Sequence, residues 1–418
     1  MMLTGSAQLT RTSATCPKLL IGTRGQVRSS QSVEYCGRVF SRDQLPDDER
    51  VSWSDGILEL SKQEKVKPQA LTCRMLCMSV KFVHRVSPGK SFARPGTPIR
   101  KQRRSMAPPL AAMPDVRTPR VLSIQSHTVQ GYVGNKAAVF PLQLLGFEVD
   151  PINSVQFSNH TGKYFHIRCY SIVRGQVLDG DQLWALIEGL EANDLLYYTH
   201  LLTGYIGSLS FLEMVLQVLQ KLRAVNPNLI YVCDPVMGDE GKFYIKPELA
   251  PVFRSKVVPV ASMLTPNQFE LEILTGSSIR TEKEALQACE TLHALGPSQV
   301  IITSLDIDNK LLLIGSDKPN KDEPAKQFRI SMPKIPAYFT GTGDLMTALL
   351  LGWSYKYQND LAKAAELAVS SLQGVLRRTI SDYEEAGVSP NLKQLELRLV
   401  QSQTEISSPK LAYRAEKL

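Results

Sequence analysis

From Arg120 onward, short apolar runs alternate with amphipathic segments, and this alternation constrains the fold more than any other feature of the chain. The apolar runs at 120–125, 229–235 and 299–304 are typical of buried strands, and residues 208–225 have the period of an amphipathic helix. Strands that alternate with helices predict βαβ units. We therefore expect a single α/β domain over residues 120–408, with a central, mostly parallel sheet and helices on both faces.

Residues 1–119 have a different composition. They carry 20 Lys and Arg against 9 Asp and Glu, whereas residues 120–418 carry 28 against 31. The net charge of +8 therefore belongs to the front of the chain and does not indicate a nucleic-acid-binding body. No apolar period is sustained there. We interpret this part as a basic N-terminal extension of low order, either a linker or a transit peptide, and residues 409–418 as a C-terminal tail.

Two absences bear on the compartment. The seven Cys residues form no CxxC pair, which disfavours a disulfide scaffold or a structural zinc site and fits a reducing compartment. No stretch of about 20 strongly apolar residues is present, which argues against a membrane-spanning helix. We expect a cytosolic protein without nucleic-acid or membrane partners; a plastid or a mitochondrion is the alternative if the extension is a transit peptide.

The sharpest chemical signal is the GTGD sequence of Gly341–Asp344, which opens a predicted helix. Two glycines allow a tight turn whose successive N–H groups form an anion nest, and the helix start adds its positive end. Such a site suits a phosphoryl group in transfer. A carboxylate has the wrong sign for gripping phosphate, so Asp344 is predicted to be the general base that accepts a proton from an alcohol. The alternative is a simple helix cap.

Other polar loops follow the predicted strands and should project toward the same rim of the sheet. The sequence DPVMGD places Asp234 and Asp239 where they could act on phosphates through Mg²⁺, or merely form a turn with surface acids. In TPNQFE, Thr265, Asn267 and Glu270 predict either a metal-linked cluster or only a capping arrangement. Thr303 and Ser304 end a strand, where they bind phosphate or cap the strand.

Two common nucleotide-binding patterns are missing. The chain has no GxxxxGK[ST] sequence, which disfavours a P-loop NTPase, and no GxGxxG follows the first predicted strand. No His pair has the spacing of HExxH, and Cys233 lies inside a predicted strand, where it is interpreted as core.

The ordered set of motifs resembles the pyridoxal kinases of the ribokinase-like superfamily. The resemblance rests on RVLSIQSH, GYVGN, NSVQFSNHTG, LTGY, VCDPVMGD, LTPNQFE, VIITS and FTGTGD in this order, with QLELRLVQS near the C-terminus. It implies a ribokinase-like catalytic domain that transfers the γ-phosphoryl group of ATP to the 5′-hydroxymethyl group of pyridoxal, with pyridoxine and pyridoxamine as further substrates. It also implies Mg²⁺ or Zn²⁺, a monovalent cation (K⁺ or Na⁺) and a homodimer.

The resemblance also assigns roles by position. It makes Asp344 the base and Gly341, Thr342 and Gly343 the anion hole, where the two glycines contact substrate and Thr342 contacts ATP. The remaining matches are Ser126, Thr161 and Tyr205 at the substrate; Asp234 and Asp239 at the phosphates and metal; Thr265, Asn267 and Glu270 at the cations and nucleotide; and Thr303, Ser304, Ile335 and Ala337 at the nucleotide.

Two features depart from the family pattern: the front extension and residues 163–174, which form a longer link than expected after Thr161. Two alternatives therefore stay open. One is another ribokinase-like small-molecule kinase, such as a hydroxymethylpyrimidine or sugar kinase. The other is a catalytically impaired protein that binds a vitamer because the insertion has altered its lid.

Overall fold

The structure is a computed structural model, and it describes residues 32–35, 38–41, 50–54, 57–61, 118–160, 170, 172–389 and 395–418. Contacts divide the chain into two units, Met1–Lys101 and Gln102–Leu418. The described part of the first unit consists of two antiparallel hairpins, in which β1 pairs with β2 and β3 with β4. These strands are Ser32–Tyr35 (β1), Arg38–Ser41 (β2), Arg50–Ser54 (β3) and Ile57–Ser61 (β4).

The second unit is built on a ten-stranded mixed sheet. Its strands are Arg120–Thr128 (β5), Glu148–Phe157 (β6), Gly175–Val177 (β7), His200–Thr203 (β8), Ile230–Cys233 (β9), Met263–Leu264 (β12), Gln299–Ile307 (β13), Lys310–Asp317 (β14), Lys326–Met332 (β15) and Glu416–Lys417 (β16). A separate small hairpin pairs Gly238–Asp239 (β10) with Lys242–Phe243 (β11).

The strand order is β16-β15-β14-β13-β12-β9-β8-β5-β6-β7. The six strands from β13 to β6 are all parallel, whereas β14, β15 and β16 at one edge and β7 at the other run antiparallel to their neighbours. The predicted mostly parallel α/β sheet is confirmed. Its carboxyl edge carries the loops that follow β5, β8, β9, β12 and β13.

Helices cover both faces of this sheet and enclose two apolar cores. One core packs under α2, α3, α5 and α6, and the other under α1, α7, α8 and α9. The helices are Asn135–Leu144 (α1), Gly180–Glu191 (α2), Leu209–Val225 (α3), Ala250–Val252 (α4), Gln268–Thr275 (α5), Glu282–Leu295 (α6), Thr342–Lys356 (α7), Leu361–Glu385 (α8) and Gln403–Ser407 (α9).

The C-terminal residues extend the sheet. Residues 409–418, expected to be a tail, place β16 beside β15, with Phe328 opposite Lys417 and Arg329 opposite Glu416. The guanidinium of Arg329 also forms an ion pair with the carboxylate of Glu416 at 2.7 Å. The two-residue strand is too short to show a period in the sequence, which is why the pattern did not predict it.

Within the described residues, no helix combines the length and the apolar character that crossing a bilayer requires.

His200 is a buried titratable group of the core. Its ring makes edge contacts with Phe147 and Tyr355 at 5.4 and 5.5 Å between centroids, and its Nδ1 lies 2.8 Å from the hydroxyl of Thr199. Burial lowers the pKa of His200 from 6.5 to about 4. The native state therefore holds this imidazole neutral at pH values where the unfolded chain protonates it.

We expect the stability of the domain to fall as the pH drops from 6.5 toward 4, because only the unfolded state takes up the His200 proton in this range. The difference between the two pKa values corresponds to about 3 kcal/mol. Urea unfolding across this pH range, compared between the wild type and His200→Phe, measures the contribution. The variant should lose this part of the pH dependence, and parallel curves for the two proteins would contradict the assignment.

Candidate active site

Asp344 lies in the first turn of α7, three residues after the Gly341 cap. Its side chain is half-buried, and burial raises the pKa of its carboxyl group above the ordinary value. The backbone N–H of Gly134 hydrogen-bonds the carboxylate and works in the opposite direction. A carboxyl group with a raised pKa, held by an N–H donor at a helix start, is suited to accept a proton near neutral pH.

Two glycines make this arrangement possible. Gly341 has φ 80°, and a Cβ placed there would lie 1.9 Å from the carbonyl oxygen of Tyr132. Gly134 has φ 54°, and its Cβ would lie 2.0 Å from the carbonyl oxygen of Ser126. Only glycine combines this backbone conformation with such close approach. The loop of residues 129–134, which follows β5 and is the substrate-side loop, therefore packs backbone against backbone with the GTGD loop.

Asp234 follows β9 at the carboxyl edge of the sheet and is buried. Burial raises its pKa well above the usual range, and the nearby carboxylates of Glu270 and Asp344 raise it further, while a hydrogen bond with Thr347 lowers it. The Thr347 hydroxyl also lies 2.9 Å from that of Thr265. Thus Asp234, Thr265 and Asp344 meet, as the sequence predicted, at the end of the parallel strands.

Glu270 connects two loops through hydrogen bonds from its carboxylate. Its Oε1 accepts the N–H of Met237 and its Oε2 accepts the N–H of Asn267, each at 2.9 Å. The side-chain amide of Asn267 donates a further hydrogen bond to the carbonyl of Gly238 at 2.8 Å. Burial raises the pKa of Glu270 to about 8 despite these donors. The capping arrangement considered for Asn267 and Glu270 is therefore present, and it fixes the DPVMGD loop against α5.

The residues predicted to hold a metal are not gathered into one cage. Asp239 is exposed on β10, where its Oδ1 accepts the N–H of Glu240 at 2.8 Å, although its charge still raises the pKa of Glu270. Over residues 118–160, 170, 172–389 and 395–418, no three or more His, Cys, Asp or Glu side chains are placed to hold an ion together. A cation here would need further oxygen ligands, as Mg²⁺ commonly takes from phosphates and water.

The predicted nucleotide residues lie along the same edge. Thr303 and Ser304 fall at an irregularity in the register between β13 and β14, between Ile302 and Leu305. The N–H of Thr303 donates to the carbonyl of Pro266 at 3.0 Å. The segment with Ile335 and Ala337, both half-buried, leads from β15 into the GTGD loop.

On the substrate side, Ser126 lies in β5 against Gly134, where the register with β6 is also irregular. Tyr205 follows β8, is half-buried, and has a pKa raised by burial. Its carbonyl accepts the hydroxyl of Ser154 at 3.0 Å. Thr161 lies outside the described residues, as does most of the 163–174 insertion.

Sequence reasoning missed two residues of this site, Thr347 and Gly134. Thr347 is the one hydroxyl in the apolar run LMTALLLG and comes three residues after Asp344, so that both lie on one face of α7. A hydroxyl on the Asp344 face of an otherwise apolar helix could have indicated this residue from the sequence. Gly134 was visible only as part of GYVGN, and its bond to Asp344 depends on a contact between distant segments.

Comparisons with known proteins show which family this chain resembles. A family model described as phosphomethylpyrimidine kinase matches residues 197–388. A pyridoxal kinase of Arabidopsis thaliana is 66% identical over 300 residues, which cover 72% of this chain and 95% of the relative. The pyridoxal kinase of Homo sapiens is 47% identical over 311 residues, with 71% and 97% covered. The solved pyridoxal kinase from Leishmania donovani in complex with ADP and pyridoxamine has a TM-score of 0.63 at 32% identity, covering 72% of this chain and 99% of that one.

Replacing Thr347 by Val should lower the free energy of unfolding by about 1–3 kcal/mol, because it removes the buried hydroxyl that bonds both Asp234 and Thr265. Thr275→Val is the matched control, since the hydroxyl of Thr275 bonds only the Leu271 carbonyl of its own helix. Urea unfolding of both variants measures the difference. If both variants lost the same free energy of unfolding, the bonds of the Thr347 hydroxyl to Asp234 and Thr265 would contribute no more than a bond within a helix.

Proposed function

The chain belongs to the pyridoxal kinase family, and on that premise we propose that it transfers the γ-phosphoryl group of ATP to the 5′-hydroxymethyl group of pyridoxal. The product is pyridoxal 5′-phosphate, so the reaction serves vitamin B6 salvage. Pyridoxine and pyridoxamine are proposed as further acceptors, which the related structures with ADP and either vitamer support. The observation that carries the proposal is the half-buried Asp344 carboxylate at the start of α7, beside Gly341.

In this proposal Asp344 takes the proton of the vitamer hydroxyl as the oxygen attacks phosphorus. Its raised pKa supports the role, since a base of ordinary acidity holds a proton too weakly to assist an alcohol. The N–H groups of Gly341–Gly343 at the helix start stabilise the charge on the travelling phosphoryl group. Ser126, Thr161 and Tyr205 orient the vitamer, and Thr303, Ser304, Thr342, Ile335 and Ala337 contact the nucleotide.

A divalent cation fits the charge distribution. Asp234 is buried beside two other carboxylates with only a threonine hydroxyl as a partner, so a cation would relieve their repulsion. We assign Asp234 as its principal protein contact, with Asp239 and Thr265 near the phosphates and Glu270 holding the loop in place. When bound, Mg²⁺ or Zn²⁺ neutralises charge on the ATP phosphates. A monovalent K⁺ or Na⁺ near Thr265 and Glu270 is proposed from the resemblance alone.

The remaining assignments follow from the family. We propose a homodimer in the cytosol, with residues 1–119 as an N-terminal extension to the catalytic domain that serves as a linker or a transit peptide. The coverage of the relatives supports this division, because 72% of this chain accounts for 95% of the Arabidopsis relative. A plastid or mitochondrial location stays the alternative.

A second candidate function is phosphorylation of a hydroxymethylpyrimidine, favoured by the description of the family model that matches residues 197–388. The near full-length coverage of pyridoxal kinases favours pyridoxal instead. A protein that only binds vitamers is the remaining alternative, and it depends on the 163–174 insertion.

Purified protein supplied with ATP and Mg²⁺ should phosphorylate pyridoxal in preference to hydroxymethylpyrimidine. Asp344→Asn should keep nucleotide affinity while lowering kcat by about 10²–10⁴-fold, because it removes the base but not the anion hole. Product formation and ADP binding, followed side by side, check both parts. Vitamer binding without turnover in the wild type would leave the binding role, and normal turnover in Asp344→Asn would remove that residue from catalysis.

Gly134→Ala should lower kcat by at least about tenfold, because the new Cβ collides with Ser126 and displaces the N–H that bonds Asp344. Gly146→Ala is the control: it has φ 94° but open space around the Cβ, so it shares the backbone strain without the collision. Steady-state kinetics and thermal melting separate the two effects. Similar kinetic losses in both variants would show that strain alone is responsible.

A further inference from the structure

The segment Leu395–Leu399 runs beside the chain that enters the GTGD loop. The N–H of Leu395 donates to the carbonyl of Tyr338 at 2.9 Å, and Leu395 forms a parallel bridge with Phe339. Leu395, Leu397 and Leu399 are fully buried. Because alternate residues of an extended segment point to opposite sides, these leucines anchor the segment and turn Glu396 the other way, toward the substrate-side loop.

The carboxylate of Glu396 joins two segments of the site. Its Oε1 lies 3.0 Å from the Nε2 of His160, and its Oε2 accepts the N–H of Tyr132 at 3.2 Å. The His160 and Glu396 side chains are only 5% and 12% exposed. Gly131, with φ 92°, packs flat on the carboxylate, where a Cβ would lie 2.5 Å from Oε2. The backbone of the 131–132 segment is therefore shaped around this side chain.

The two segments that Glu396 joins, around Tyr132 and at His160, adjoin residues that have roles in the proposed reaction. The carbonyl of Tyr132 is pressed against Gly341, and Gly134, two residues later, donates its N–H to Asp344. His160 immediately precedes Thr161, and the edge of its ring meets Tyr170, with 5.1 Å between centroids. The Nδ1 of His160 has no hydrogen-bond partner among the described residues. The bond between the Nε2 of His160 and Glu396 is therefore the hydrogen bond that orients the ring.

We propose that Glu396 is a positioning residue for phosphoryl transfer. It acts as a two-armed clamp: one carboxylate oxygen sets the Gly131–Gly134 loop against the Gly341 turn and the Asp344 carboxylate, and the other orients the ring of His160. The inference rests on the proposed kinase activity and adds to its machinery a residue of the C-terminal QLELRLVQS segment, to which the sequence analysis gave no role. The contribution is geometric: the carboxylate offers two acceptors at the right separation, and no proton moves through it.

Three variants separate geometry from charge. Glu396→Ala removes both arms. Glu396→Asp keeps the charge but is one methylene too short to reach both partners. Glu396→Gln removes the charge and can still bond both, with its oxygen accepting from Tyr132 and its amide donating to the Nε2 of His160 in the other tautomer. We expect kcat/KM for pyridoxal to fall by about 10–100-fold in the Ala and Asp variants and by less than about threefold in Gln, with ADP affinity unchanged in all three.

Glu366→Ala provides the matched control. Glu366 is also a buried glutamate that ties a C-terminal segment, since it accepts the N–H of Ala415 at 3.0 Å and pairs with Arg414 at 3.3 Å. None of these partners belongs to a loop of the active site. This variant should lower the melting temperature while leaving kcat and KM unchanged.

Hydrogen exchange provides a readout that does not need turnover. In Glu396→Ala the amide of Tyr132 should exchange at least about tenfold faster than in the wild type, because its acceptor is gone. A wild-type protein without turnover would refute the proposed function, yet the exchange result would still test the clamp. The inference is overturned by kinetics within twofold of the wild type in Glu396→Ala, by a Gln variant as impaired as the Ala variant, or by unchanged exchange at Tyr132.

Discussion

Asp234 lies within electrostatic reach of two other carboxylates, those of Glu270 and Asp344, at the carboxyl edge of the parallel sheet, and the rest of the site is arranged around it. Asp234 is brought by β9, Glu270 by α5 and Asp344 by α7. Burial and the repulsion from these two carboxylates raise the pKa of Asp234, so this corner holds unfavourable negative charge that a cation can compensate. The protein tolerates the repulsion because two apolar cores, one on each face of the sheet, stabilise the elements that carry these residues.

The same corner depends on the absence of side chains at two positions. Gly341 and Gly134 let the backbones of the GTGD loop and the substrate-side loop touch, and the N–H of Gly134 reaches Asp344 only because of this contact. Catalytic geometry of this kind is set by backbone atoms, which move less than long side chains. The Asp344 carboxylate and the N–H groups of Gly341–Gly343 thus belong to one structural unit at the start of α7.

The sequence was most informative where local chemistry and period coincide. The order of strands and helices, the GTGD turn, the Asn267–Glu270 cap and the acid after β9 could all be predicted, because each depends on residues close in the chain. The short edge strands β7 and β16 could not, since two or three residues show no period. Gly134 and Glu396 were missed for another reason: their partners come from distant segments, and only the folded chain brings them together.

Residues 395–399 reach the active site late in the order of the chain. The loop around Gly131, the strand before His160 and the GTGD turn all precede this segment in the chain and are made before it. Since domains begin to fold as they emerge, the nascent chain can form most of its parallel sheet while the loop around Gly131 still lacks its acceptor. The corner around Asp344 is therefore completed only by the last part of the chain, and a protein cut short before Leu395 would keep the six parallel strands but lack the acceptor for the N–H of Tyr132.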